Sequence, residues 1–151
     1  MSYRRILVPV DGSATGARGL AEALKLAKGA RSRLRLVHVV DEAGVFAGET
    51  MPVDVTPILQ SLVKSGRATL AAAERRVKKA GVAVETALYE SVLGSAADTI
   101  LRDARKWRAD LIVMGTHGRR GLRRLVLGSD AEQVVRGTPV PVMLVRAKGR
   151  R

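Results

Sequence analysis

The strongest constraint on this fold is a rhythm. Short apolar runs of strand length alternate with longer stretches of helical period from one end of the chain to the other. Ile6 to Val10 is continuously apolar, as a strand covered on both faces must be. Ala17, Leu20, Ala21, Leu24 and Ala27 then fall on one helical face, with Gly29 where that helix is expected to stop. Leu34 to Val40 reads as a second strand. A long amphipathic helix follows, with Leu59, Leu62, Val63, Leu70, Ala73, Val77 and Ala80 on its apolar side and Gly81 at its close. Val82 to Leu88 is a third strand. Ala97, Ile100, Leu101, Ala104 and Trp107 stripe a further helix, for which Ser95 is the expected N-cap. Leu111 to Met114 is a fourth strand. Ala131, Val134 and Val135 mark a short helix ending near Gly137-Thr138-Pro139, and Val142 to Val145 is the fifth strand.

Strictly alternating strands and helices predict an α/β fold: a five-stranded parallel sheet with helices on both faces. The third strand alternates apolar with polar residues, as an edge does. The first and fourth are the most uniformly apolar, which places them centrally. The expected order is therefore 3-2-1-4-5, a Rossmann-like, doubly wound sheet. With 151 residues and no linker, repeat or low-complexity tract, residues 1–151 are expected to form one domain. A chain of this length buries roughly 70% of its unfolded surface, enough for a core without cross-links. The segment Asp41 to Thr56, with Gly44, Gly48 and Pro52, is expected to be a mobile loop.

Winding reverses between strands one and four, and ligands of such sheets bind beyond the carboxyl ends of the strands at that point. Two glycine-punctuated turns fall there: Asp11-Gly12-Ser13 and Gly115-Thr116-His117-Gly118. Nine residues after the second comes Gly128-Ser129, just before the last helix. Gly115 and Gly118 lack a Cβ, so their amides can approach a ligand closely and adopt positive φ. Successive amides in such a turn suit an anion. Gly128-Ser129 offers N–H groups, a hydroxyl and the positive end of a helix dipole to a phosphate. Arg119, Arg120, Arg123 and Arg124 lie between, with guanidiniums able to neutralise phosphates or simply to solvate a face.

The motif Gly-x-x-Gly, nine residues, Gly-Ser resembles the nucleotide-binding signature of the universal stress protein (UspA-like) family, in its ATP-binding branch. Ile6-Leu7-Val8-Pro9-Val10-Asp11-Gly12-Ser13, Val37-His38-Val39-Val40, Ala109 to Gly115 and Pro139-Val140-Pro141-Val142 carry the resemblance along the whole chain. It implies a homodimer and bound ATP, ADP or AMP. By position, Pro9, Val10 and Asp11 would lie beside the adenosine, and Val39 would meet adenine through its backbone. Met114 and Gly115 would flank the ribose. Gly118, Gly128 and Ser129 would hold phosphates, with Thr116, His117, Arg119 and Ala131 close by. Mg²⁺, where present, would be held mainly by phosphate oxygens. One position departs from the family: an apolar residue commonly follows Gly-Ser, and here it is Asp130. An acid there stabilises the helix dipole and repels a nearby triphosphate.

Other chemistry is bounded more tightly. The chain has no cysteine, which excludes disulfides, thiolate nucleophiles and thiolate metal sites and suits a cytoplasmic location. No apolar stretch approaches a membrane span, and the run after Met1-Ser2-Tyr3-Arg4-Arg5 is too short and too early for a signal peptide. No Walker-type loop or metal-ligand spacing occurs. His38 is expected to pack in or beside the sheet, and Trp107 to be core or to cap its helix. His117, Ser129 and Asp130 have the residue types of a hydrolase triad without the strand–turn context.

Three functions follow, in order. The first is a cytoplasmic nucleotide-dependent regulator of an unknown protein partner, with little or no hydrolysis. The second is a slow ATPase or phosphotransferase using the same pocket, with His117 and Asp11 as its polar side chains. The third is a cationic module for nucleic acid or an anionic surface, suggested by the net charge of +13. Aromatics are only 3% and no reading motif is present, so the sequence argues against nucleic acid and for a generally cationic surface. The fifth strand, Val142-Met143-Leu144-Val145, is an apolar edge with no inward charge, which invites antiparallel pairing with a second copy.

Overall fold

The computed structural model describes residues 2–47, 54–117 and 127–146. Its elements run β1 (Arg5–Pro9), α1 (Ala14–Ala30), β2 (Arg33–Asp41), α2 (Ala43–Ala47), α3 (Thr56–Lys79), β3 (Ala83–Ser91), α4 (Ala96–Trp107), β4 (Leu111–Gly115), α5 (Ser129–Gly137) and β5 (Val142–Val145). All strands are parallel, in the order β3-β2-β1-β4-β5. Expected order and observed order agree. β3 is an edge, and its side chains are half-buried or exposed along most of its length.

Alternation along each strand sorts side chains between two cores. Ile6, Val8, Leu34, Leu36, Leu111 and Val113 face α1 and α3, meeting Leu20, Leu24, Leu70 and Val77. Leu7, Val37, Ile112 and Met114 face α4 and α5, meeting Ile100, Trp107, Ala131 and Val134. Each large apolar side chain so buried contributes roughly 1.5–3 kcal/mol. Arg5 lies over the Trp107 ring, 4.7 Å from its centroid, so Trp107 is both core and the end of its helix.

The helix ends differ in part from expectation. α1 runs through Gly29 and stops at Arg31, which takes the left-handed conformation (φ 53°) usually given to glycine. α4 ends the same way at Arg108 (φ 57°). Its start is as expected: Ser95 Oγ accepts from the Asp98 amide, and Asp98 returns the bond to the Ser95 amide, a capping box. α3 closes at Ala80, followed by Gly81 at φ +74°. The segment Asp41 to Thr56 contains α2, so it is not a loop throughout.

Candidate functional site

Where β1 and β4 part company, their C-terminal ends open into a hollow of about 970 Å³. Asp11 shapes one wall. Its Oδ1 accepts from the Ser13 amide at 2.9 Å and from the Ser13 hydroxyl at 2.5 Å. Ser13 Oγ in turn accepts from the Gly16 amide at 3.0 Å, capping α1. A Cβ on Gly16 would come within 2.7 Å of Asp11 Oδ1, so the tight turn needs glycine there.

The opposite wall is the turn after β4. Thr116 N–H donates to Val145 O at 3.0 Å, and Thr116 Oγ1 lies 2.9 Å from His117 Nδ1. The Thr15 hydroxyl donates to His117 O, tying the first turn of α1 to this turn. Gly115 does not use the positive φ open to glycine. Its missing Cβ makes room for α1: a methyl group there would lie 2.8 Å from Thr15 C and 3.0 Å from Gly16 N.

The third wall is the start of α5. Gly128 N–H donates to Thr116 O at 2.8 Å, so the two glycine-bearing ends do meet. That same bond commits the Gly128 amide, which the motif suggested as a ligand donor. The first intrahelical bond runs from Glu132 N–H to Gly128 O at 2.9 Å, and Gly128 provides no side-chain cap. The amides of Ser129, Asp130 and Ala131 therefore precede the helical ladder, at the positive end of the dipole. Asp130 is exposed in this turn.

The hollow is lined by Pro9, Val10, Asp11, Val39, Met114, Gly115, Thr116, His117, Gly128, Ser129, Asp130 and Ala131. Gly118 and Arg119, also singled out by the motif, lie outside the described residues, as do Arg120, Arg123 and Arg124. Sequence reasoning missed several lining residues: Gly44 and Val45 of α2, Leu62 of α3, and Gly94, Ser95 and Ile100 at the start of α4. Their one signal was position, since each helix N-terminus of a parallel sheet points to the strands' carboxyl ends. His38 is buried with Nδ1 2.7 Å from Val10 O, and a Cβ on Gly66 would fall 2.6 Å from its ring, so it packs between β1 and α3. Among the described residues no group of three or more His, Asp or Glu could hold a metal ion. No described helix is long and apolar enough to cross a membrane.

A doubly wound parallel sheet with a hollow at its switch point defines the class: a Rossmann-like α/β protein, a fold whose ligand sites lie at the C-terminal ends of the strands. Within that class the chain belongs to the universal stress protein family, whose model matches residues 2–146. It is 33% identical over 144 residues to Universal stress protein MJ0531 of Methanocaldococcus jannaschii, covering 95% of this chain and 82% of that one. Its fold matches a crystal structure from the same family in Burkholderia pseudomallei with a TM-score of 0.79 and 35% identity, over 96% and 97% of the two chains. The universal stress protein from Archaeoglobus fulgidus in complex with dAMP matches with a TM-score of 0.66 and 25% identity, over 96% and 99%.

Proposed function

We propose that this protein is a cytoplasmic, nucleotide-dependent regulator that binds ATP, ADP or AMP in the hollow and hydrolyses it slowly or not at all. One observation carries the reading. The Gly128–Thr116 hydrogen bond brings an uncapped helix start to the β4 turn, on the rim of a hollow large enough for a nucleotide. The Archaeoglobus relative's complex with dAMP supports the adenine class. Pro9, Val10, Asp11 and the Val39 backbone take the adenosine in this proposal. Met114 and Gly115 flank the ribose, with Thr116 and His117 beside them. The phosphates meet the Ser129 hydroxyl and the amides from Ser129 to Ala131, with Gly118 and Arg119 from the intervening segment. Mg²⁺ is held chiefly by phosphate oxygens. Dimerisation through β5 belongs to the same proposal: β5 is a sheet edge whose Val142, Met143 and Leu144 are only half-buried.

The test is extraction followed by titration. Denaturing the purified protein should release adenine nucleotide, and calorimetry of the stripped, refolded protein with ATP and Mg²⁺ should show one site per chain. A protein that carries none and binds none overturns the proposal.

A further inference from the structure

We propose that the pole of the sheet opposite the hollow docks the phosphate backbone of double-stranded nucleic acid. This goes beyond nucleotide binding and does not depend on it. In a parallel sheet every strand starts at this pole and every crossover helix ends there. Arg4, Arg31, Arg33 and Arg108 stand at the starts of β1, β2 and β4, all exposed. The last turns of α1, α3 and α4 add Lys28, Lys79 and Lys106, also exposed. Hydrogen bonds hold the strand starts together: Arg33 N–H donates to Arg4 O at 2.9 Å, and Arg4 N–H to the Asp110 side-chain Oδ2 at 2.8 Å.

The acids nearest this pole are engaged: Asp103 and Glu85 pair with Arg35, and Glu74 pairs with Lys78. Asp110 receives the amides of Arg4 and Arg5, one on each oxygen, and is fixed against the backbone. Asp11, Asp41, Glu42, Glu90, Asp98 and Asp130 all lie at the other end, around the strands' C-termini. Exposed basic residues also occur elsewhere, as at Lys64 and Arg67 on α3, so the surface is generally cationic as expected; this pole is set apart by having its acids engaged. Helix-dipole compensation accounts for the last-turn lysines. It does not account for Arg4 and Arg33, which belong to no helix, nor for arginine in place of glycine at two left-handed positions.

The chemistry of the patch selects the partner. Guanidiniums pair with phosphate oxygens in a bidentate fork. Five strands at about 4.8 Å spacing make the pole roughly 20 Å wide, a stretch of duplex carrying about a dozen phosphates. Single strands are disfavoured, because Trp107 is buried and Tyr3 packs against the core, leaving no stacking platform. A bilayer is disfavoured too. Of the exposed large apolar side chains among the described residues (Phe46, Ile58, Val92, Leu93 and Val135), Val135 in the last turn of α5 alone lies at this pole, too little apolar surface to enter lipid.

The full chain should be titrated into a fluorescein-labelled duplex of about 20 base pairs and arbitrary sequence, from about 25 to 200 mM salt, following anisotropy. The double variant Arg31→Gly, Arg108→Gly suits the test, since glycine eases both left-handed positions and the fold is kept. The expected result is sequence-independent binding whose log–log salt slope falls by about two in that variant, with at least about tenfold weaker affinity near 0.1 M salt. Lys64→Gln, Arg67→Gln on α3 is the equal-charge control, expected to lose less than half as much. Equal loss in both variants, no binding at the lowest salt, or tighter binding to phosphatidylserine vesicles than to duplex overturns the proposal.

Discussion

Asp103 of α4 is buried beneath β2 and β3, and both its oxygens are engaged. Arg35 Nε and Nη2 donate to it at 2.9 and 2.8 Å, and the Tyr89 hydroxyl adds a third bond at 2.5 Å. Burial pushes the Asp103 carboxyl up, but the bonds from Arg35 and Tyr89 and the Arg35 charge outweigh it and hold the group below its ordinary value. Burial, then the bond to Asp103, pushes the Tyr89 phenol up. A carboxyl held low in the folded state contributes stability above its unfolded pKa, near 3.9, and loses it as pH falls through the folded value. Part of the stability should therefore disappear below about pH 4, and urea midpoints measured from pH 6 to pH 2 in Asp103→Asn should lack that part of the decline. Near neutrality the same variant should lose about 3 kcal/mol, because Arg35, whose side chain is only 16% exposed, loses its buried counter-ion and keeps only the more exposed Glu85 at 3.4 Å. A loss under about 0.5 kcal/mol would show that the pair is dispensable. No sequence pattern announced this triad, since its members come from β2, β3 and α4. Gly115 was legible as a required glycine, but one steric cause was not. That cause lies in Thr15 and Gly16, about a hundred residues away in the chain. Gly115→Ala should cost about 1–3 kcal/mol in chemical denaturation and should weaken nucleotide binding with it.

At the scale of elements, strands were easier to read than helix ends. Continuous apolar runs located β1, β4 and β5 to within a residue, because burial on both faces demands that composition. The start of α4 was legible because Ser95 and Asp98 carry the capping box locally. The end of α1 was not, because Arg31 occupies the position where a glycine would have signalled the stop. α5 sets two demands against each other at Asp130. An acid in its first turn favours the helix, while the proposed phosphates sit at the same turn. Asp130→Ala should therefore lower stability by about 0.3–1 kcal/mol in thermal unfolding. It should also tighten ATP binding several-fold by calorimetry, with less effect on AMP. A variant that binds ATP more weakly would place the carboxylate on the favourable side of the site.

Across the whole molecule, strand order was legible because the β3 edge alternates while the central β1 and β4 are uniformly apolar. The placement of charge was not. Composition reports a net charge of +13, and only the chain's path gathers Arg4, Arg31, Arg33 and Arg108 at the strand starts while Asp11, Asp41, Glu42, Glu90, Asp98 and Asp130 surround the strand ends. The apolar β5 edge bears on assembly. If β5 pairs two copies, Met143→Lys should convert a dimer to a monomer in light scattering with the far-UV spectrum unchanged. A wild-type monomer would remove that part of the proposal. The central claim concerns one place, the start of α5 against the β4 turn. Amide hydrogen exchange with and without ATP and Mg²⁺ reports on it most directly. The account predicts slowed exchange at Ser129, Asp130 and Ala131 and in the Asp11–Ser13 turn, with the strand starts unaffected. Protection confined to other elements, or none at saturating ATP, would contradict it.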